Sequence, residues 1–220
     1  MTEQLSAEEL ARVPVFPLAR LVLFPDTLLP LHFFEPRYRA LMRDCLEKGQ
    51  KCIAVAQLRP GFDAAGKPPI YERASIGRIL QHIKNADGTY DVVLQGVARV
   101  MLDEQATEDP YRVARAHVLT ERVPAGGIKQ GELAAVMALA ESVRDMVRRS
   151  QPEFELLAKA SDSPARIADK LADQLVTDPA LRQELLETLD VQKRLDALAR
   201  EVATLESLLR RRFNKASTGN

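Results

Sequence analysis

Tryptophan is absent from the 220 residues, there are just two cysteines, and neither sign of charge is in excess. Lysine and arginine total 31, and aspartate and glutamate also total 31, so the formal net charge is zero. Nucleic-acid-binding proteins usually carry a positive surplus that displaces counterions from phosphates. The balanced charge therefore makes nucleic acid a disfavoured partner.

Long hydrophobic runs are also lacking, because no apolar stretch reaches the length that a bilayer-spanning helix needs. The first ten residues contain Glu3, Glu8 and Glu9 in place of the apolar centre of a signal peptide. We therefore expect no membrane partner and a cytoplasmic location. Cys45 and Cys52 match no zinc or redox spacing, and we expect two buried thiols rather than a disulfide.

The first half of the chain has the pattern of a β structure with one early helix. Prolines at positions 14, 17, 25 and 30 exclude a helix there and favour strand edges or strand starts. A helix is predicted from Pro36 to Gly49, and Asp87-Gly88 predicts a tight hairpin turn. The sequence predicts short extended pieces at 13–18 and 21–25, and apolar patterning predicts strands at 53–58, 76–83, 90–101 and 111–119.

After the Pro/Gly-rich stretch 123–127, the sequence pattern predicts helices only. Ser163 and Asp178 are each followed by proline, the pattern of an N-cap and a first helical residue. Leucine and valine recur at helical spacing in the last helix, which favours intramolecular packing over a coiled coil. We predict a disordered tail at 1–11, a β domain at 12–122, a helical subdomain at 123–212 and a disordered tail at 213–220.

Motifs of catalysis or cofactor binding are not evident. Residues 61–67 have the spacing of a phosphate-binding loop, but Pro68 replaces the hydroxyl residue and opposes the helix that such a loop requires. His32, His82 and His117 lie in different strand-like segments and do not share metal-ligand spacing. We predict no catalytic, cofactor or metal residues, although distant side chains that meet in the fold leave an enzyme as an alternative.

The densest apolar cluster lies between residues 28 and 34. Most of it is expected to be core, and any face left uncovered would suit an extended apolar peptide that adds as a strand. The candidate protein-binding residues are Leu28, Leu29, Leu31, Phe33 and Phe34.

The polar and aromatic cluster that follows, Glu35-Pro36-Arg37-Tyr38, allows two interpretations. Glu35 and Arg37 could hold a ligand, or Glu35 could cap the helix while Tyr38 packs inward. We favour the structural interpretation.

Several short segments of the sequence, taken in order, resemble the motifs of a known family. They are residues 14–18, 22–25 and 30–38, then Gly77, Asp87-Gly88, 95–99 and Pro110-Tyr111, and in the helical half 178–186 and 190–195. This ordered set is similar to the N-terminal substrate-binding domain of Lon proteases, and it covers nearly the whole chain.

The resemblance implies an α+β fold, in which a PUA-like β pseudo-barrel is followed by an α-helical bundle. The family motif residues are expected to be mostly structural: Pro14, Pro17, Phe24, Pro25, Glu35, Pro36, Arg37, Tyr38, Gly88, Gly96 and Arg99. Arg99 lies in an apolar strand and needs a partner if it is buried, and Glu35 is our candidate for that partner.

In full-length Lon, this region helps to recognise unfolded or degron-bearing substrates. The present sequence contains neither a genuine Walker motif nor a Ser-Lys protease domain, so we expect a stand-alone, non-catalytic recognition module without cofactors. The expected partners are unfolded or exposed protein segments, with a protease or chaperone for which the module acts as an adaptor. We expect a monomer or weak dimer. The alternatives are an RNA-binding PUA-like protein and an enzyme with a cryptic site.

Overall fold

The computed structural model describes residues 5–61 and 68–218. The chain divides into two compact units, Met1–Thr120 and Glu121–Asn220. The division lies two residues before the predicted boundary between the β domain and the helical subdomain. Of the loop with phosphate-binding spacing, residues 62–67 lie outside the described part of the chain.

A six-stranded sheet forms the frame of the first unit. Its strands are arranged in the order β2-β5-β4-β3-β1-β6, and β5 also pairs with β6, which closes five of the strands into a ring. The elements of this unit are α1 (Ala7–Ala11), β1 (Val13–Leu18), β2 (Leu28–Phe33), α2 (Pro36–Lys48), β3 (Cys52–Gln57), β4 (Arg73–Lys84), β5 (Tyr90–Gln105) and β6 (Arg112–Val118). The early helix and the strands predicted at 53–58, 76–83, 90–101 and 111–119 are present, and the extended piece predicted at 13–18 is β1. The extended piece predicted at 21–25 belongs to no strand, and β2 was not predicted.

The long strand β5 belongs to two parts of the sheet. Its second half, residues 100–105, pairs with β6 and closes the ring, whereas its first half, residues 90–95, pairs with β2. The end of β4 continues alongside this first half as far as Lys84. Strand β2 and the β4–β5 hairpin therefore form a three-stranded extension of the ring.

Two hydrophobic clusters fill the first unit. The helix α2 contributes Tyr38, Leu41, Met42 and Cys45 to the larger cluster, which also contains Phe16 and Phe33 from the sheet. The rings of Phe16 and Tyr38 pack edge to face, with their centroids 4.5 Å apart. Gly49 ends α2 with φ 69°, the left-handed conformation that glycine adopts most easily.

The proline-rich strand β1 was expected at an edge of the sheet, but it lies between β3 and β6. The register explains why its prolines are tolerated. Pro14 lies in the half that pairs with β6, and Pro17 lies in the half that pairs with β3. Each proline therefore has a paired strand on one side only. Its nitrogen, which carries no hydrogen, can point to the unpaired side without the loss of a ladder hydrogen bond.

Three expectations are corrected by the structure. Residues 7–11 form a helix where a disordered tail was predicted, because Ser6 and Glu9 make a reciprocal capping box. The last helix continues to Thr218, beyond the predicted tail boundary at 213. Residues 148–163 are not helical, although everything after 127 was expected to be.

The second unit is a helical bundle built around its last helix. Its elements are α3 (Gln130–Val147), α4 (Pro164–Leu175), α5 (Pro179–Glu187) and α6 (Val191–Thr218), and α6 packs against the other three. The predicted N-caps are confirmed at Ser163 and Asp178. Arg194 is fully buried and pairs with Glu121 and Asp169. The predicted α+β fold, a pseudo-barrel followed by a bundle, is confirmed.

Candidate protein-binding face

The apolar cluster between residues 28 and 34 does not form one surface. Side chains of a strand alternate between its two faces, and those of Leu29, Leu31 and Phe33 pack into the larger core cluster. Leu28 is 54% exposed and Phe34 is 62% exposed. Two of the five candidate residues are therefore open to a partner, and three support the fold.

The register of the three-stranded extension shows which residues join these two. Residues directly opposite each other on neighbouring strands share a face. Pro30 of β2 pairs with Val93 of β5, and Val93 pairs with Gln81 of β4. The next row contains His32, Asp91 and Ile83, and Ile83 is 65% exposed. We call this surface, with Leu28, Pro30, His32, Phe34, Ile83, Asp91 and Val93, the outer face.

A small polar network lies within the outer face. His32 Nδ1 and Asp91 Oδ1 are 2.7 Å apart, and Asn85 donates to Asp91 Oδ2 at 2.9 Å. Hydrogen bonds from Asn85 and His32 lower the pKa of Asp91, so this carboxyl group stays ionised at neutral pH. The ring of His32 stacks near that of Phe34, with centroids 6.1 Å apart. These polar side chains are thus bonded to one another within the outer face, which also carries the exposed apolar side chains of Phe34 and Ile83.

The outer face includes a shallow depression of about 330 Å³, and its lining residues are Pro30, Leu31, His32, Gln81, His82, Ile83, Asp91, Val92 and Val93. Within the described part of the chain, β2 has one neighbouring strand, β5. The opposite edge of β2 is therefore not paired with a strand. An unpaired edge beside exposed apolar side chains can accept an extended peptide.

Sequence reasoning did not find Ile83 and Val93, which belong to the outer face. Both lie in strands that were predicted, and the Asp87-Gly88 turn that fixes their register was also predicted. A signal was therefore present in the alternation of the β4–β5 hairpin, but their proximity to Pro30 depends on the pairing of β2 with β5.

Comparison with known proteins identifies the family. The model of the ATP-dependent protease La (LON) substrate-binding domain matches residues 12–204. The chain belongs to this family. The solved Lon N-terminal domain protein from Xanthomonas campestris has a TM-score of 0.63 at 22% identity, and the match covers 86% of this chain and 96% of that one. The N-terminal domain of Mycobacterium avium complex Lon protease has a TM-score of 0.64 at 18% identity, over 87% of this chain and 98% of that one.

Full-length relatives are considerably longer than this chain. The Lon protease of Dictyoglomus thermophilum is 27% identical over 198 residues, which is 88% of this chain and 25% of the relative. The Lon protease of Rhizobium meliloti is 27% identical over 197 residues, which is 89% of this chain and 24% of the relative. The chain thus spans about a quarter of the length of the Lon proteases that it matches.

Two glycines of the Lon family motif lie where a side chain would be strained or would clash. Gly88 has φ 81° in the β4–β5 turn, where a side chain would be strained. The backbone of Gly96 binds the loop before β2 through two hydrogen bonds. Its N–H donates to Thr27 O, and its carbonyl accepts from Asp26 N, both at 2.9 Å. A Cβ atom on Gly96 would overlap the carbonyl group of Phe24 and approach Pro25.

Three further motif residues, Glu35, Arg37 and Tyr38, lie at the start of α2. Glu35 occupies the N-cap position, but its side chain makes no capping hydrogen bond, contrary to expectation. It instead accepts a hydrogen bond from Arg37 Nε at 2.9 Å. Arg99 is 2% exposed in β5, and its proposed pairing with Glu35 stays a prediction. Tyr38 packs inward, as predicted, and Arg37 lies over its ring.

Side chains typical of catalytic or metal sites are dispersed over the described part of the chain. No group of three or more His, Cys, Asp or Glu side chains among residues 5–61 and 68–218 is arranged to hold a metal ion. His32, His82 and His117 are all exposed and lie on different strands. The two thiols are buried and free, as predicted, and burial raises the pKa of each to about 12. No helix in the described ranges is both long enough and apolar enough to cross a membrane.

Proposed function

We propose that the chain is a non-catalytic module that recognises exposed, extended segments of other proteins and binds them at the outer face. The observation that carries this proposal is the pair of exposed apolar side chains, Leu28 and Phe34, at the unpaired edge of β2. Ile83 lies on the same face but on β4, on the far side of β5. Membership of a substrate-binding domain family supports the same class of function.

Binding would combine two contributions with different roles. An added strand on β2 supplies backbone hydrogen bonds that do not depend on the client's sequence. Alternate apolar side chains of the client would then pack against Leu28 and Pro30. Pro30 has no N–H group, so the added strand would lack one hydrogen bond at that position. The resulting preference is for apolar segments with little dependence on exact sequence, as recognition of unfolded proteins requires.

The cellular role that we propose is that of an adaptor. Unfolded or degron-bearing proteins bound at the outer face would be presented to a partner protease or chaperone. The proposed setting is the cytoplasm, and the proposed state is a monomer or a weak dimer.

The experiment measures binding of labelled apolar peptides and of a permanently unfolded model protein by fluorescence anisotropy. The test variant is Leu28→Ser/Phe34→Ser, and the matched control is Leu21→Ser/Val118→Ser, which changes two exposed apolar residues elsewhere in the first unit. Burial of one large apolar side chain contributes about 1.5–3 kcal/mol. The test variant should therefore weaken binding by at least about tenfold, while the control should change it by less than about twofold.

Two results would contradict the proposal. The first is wild-type protein that binds neither the peptides nor the unfolded protein. The second is equal binding by the test and control variants, which would place the binding surface elsewhere. Retention on immobilised RNA at physiological salt, without binding to unfolded protein, would favour the RNA-binding alternative.

A further inference from the structure

The segment before β1 is held by a set of polar contacts that resembles recognition of a peptide. Cys52 of β3 and Arg78 of β4 are directly opposite in the sheet register, so their side chains share a face. Both reach the same carboxylate oxygen of Glu9: Arg78 lies 3.2 Å away, and the Cys52 thiol donates at 3.4 Å. The side chains of Glu9 and Arg78 are 18% and 16% exposed, so this ion pair is largely screened from solvent.

The backbone of the same segment is also recognised. The side-chain amide of Gln50 donates to the carbonyl oxygens of Glu9 and Arg12, at 3.3 and 3.2 Å. Leu5 and Leu10 pack partly buried against the smaller core cluster. A charged side chain, two backbone carbonyls and two apolar side chains are therefore bound within eight residues.

The segment itself is only weakly organised. Its helix α1 has five residues, and none of them is buried. A helix of this length is unstable in isolation, so its conformation depends on the capping box and on the contacts of Glu9. The segment also leaves space beside it, because a cavity of about 560 Å³ remains between α1, the end of α2 and the sheet. Glu9, Asp44, Lys48, Gln50, Arg78 and Tyr111 are among its lining residues.

All of the segment except its last residue, Arg12, lies outside the part of the chain that the family model matches. That match begins at residue 12, whereas Cys52, Arg78 and Gln50 lie within it. The recognising residues thus belong to the family domain, and the recognised glutamate precedes it.

We propose that Arg78, Cys52 and Gln50 form a binding site for an acidic peptide segment, which Glu9 occupies here as an intramolecular ligand. The ligand class is a short peptide with a glutamate in a capping-box turn, since Glu9 also accepts from the Ser6 N–H at 2.9 Å. Release of residues 5–12 would open the site to a partner that carries such a segment. This site shares no lining residue with the depression of the outer face, and the inference does not depend on the proposed function.

The test uses the full chain and a labelled synthetic peptide of residues 5–12, acetylated and amidated so that its ends carry no charge. Glu9→Gln removes the charge of the intramolecular ligand and preserves the capping box, which glutamine also supports. The Glu9→Gln chain should bind the peptide at least about tenfold more tightly than wild type, in which the attached segment competes at high effective concentration. The same peptide carrying E9Q should bind at least about tenfold more weakly.

Arg78→Gln in the Glu9→Gln chain should abolish this binding, whereas Arg20→Gln, at an exposed position of the same unit, should preserve it. Gln50→Ala is a second test variant, because it removes only contacts with backbone carbonyls and is informative even if the Arg78 variant fails to fold. The proposal is overturned if the Glu9→Gln chain does not bind the peptide, if both peptides bind equally, or if neither Arg78→Gln nor Gln50→Ala weakens binding.

Discussion

Gly96 illustrates how much one residue of the family motif contributes to the fold. The loop that contains Phe24 and Pro25 lies directly on its backbone, and there is no space for a Cβ atom. Gly96→Ala should therefore lower the free energy of unfolding by about 2 kcal/mol or more, the usual effect of overpacking against a rigid backbone. Urea denaturation followed by circular dichroism measures this change.

The control for that substitution is Gly131→Ala near the start of α3. A Cβ atom there would meet nothing within 4 Å, and alanine has the higher helix propensity. The control should leave stability unchanged or raise it by up to about 1 kcal/mol. Equal effects of the two substitutions would show that the close approach at Gly96 has no energetic consequence.

The two cysteines allow a second prediction at the residue scale. Burial raises the pKa of Cys45 and Cys52 to about 12, and the thiolate is the form that reacts with alkylating agents. At about pH 8 both thiols should react with iodoacetamide at least about a hundredfold more slowly in the native protein than in urea. Mass spectrometry of timed samples gives both rates. Rapid native labelling of either cysteine would mean that it is not buried as the structure describes.

At the scale of elements, most of the secondary structure could be predicted because its signals are local. The β4–β5 hairpin follows from Asp87-Gly88, and α4 and α5 follow from an N-cap residue and a proline. The short helix α1 was missed, although Ser6 and Glu9 have the spacing of a capping box. Its sequence lacks an apolar repeat, and its contacts with Gln50 and Arg78 are distant in sequence, so composition alone suggested a tail.

The contacts before α4 give a prediction of pH dependence. Asp162 accepts hydrogen bonds from Lys170 at 2.7 Å and from the Lys159 N–H at 2.9 Å. Although desolvation opposes ionisation, these bonds and nearby positive charge lower the pKa of Asp162 below its ordinary value. A carboxyl group with a lowered pKa stabilises the folded state above its ordinary pKa, and this stabilisation is lost as pH falls through the folded-state pKa.

Asp162→Asn should therefore lower the free energy of unfolding by about 1 kcal/mol near pH 7. The difference from wild type should shrink as pH falls below about 4, where aspartate becomes protonated. Urea denaturation at several pH values provides the measurement. Asp103→Asn, at an exposed strand position, is the control. A difference that stays constant down to pH 3 would show that the charge of Asp162 is not responsible.

At the scale of the whole molecule, charge is balanced within each unit as well as overall. Residues 1–120 contain 15 basic and 15 acidic side chains, and residues 121–220 contain 16 of each, which accounts for the 31 of either sign. Neither unit has the surplus that phosphate binding requires. We expect no measurable binding of single- or double-stranded RNA at about 150 mM salt by fluorescence anisotropy. Salt-dependent binding at that ionic strength would contradict this prediction and support the RNA-binding alternative.

Local patterns of the sequence determined the fold class, most of the elements and the family. Tertiary structure decided which apolar residues are exposed, because the elements that pack on a sheet determine which of its two faces is covered. Leu29, Leu31 and Phe33 entered the core, while Ile83 and Val93 joined Pro30 through strands far apart in sequence. It also placed Glu9 against Arg78, 69 residues away. Periodicity is a property of neighbouring residues, whereas register and distant ion pairs depend on how the whole chain packs.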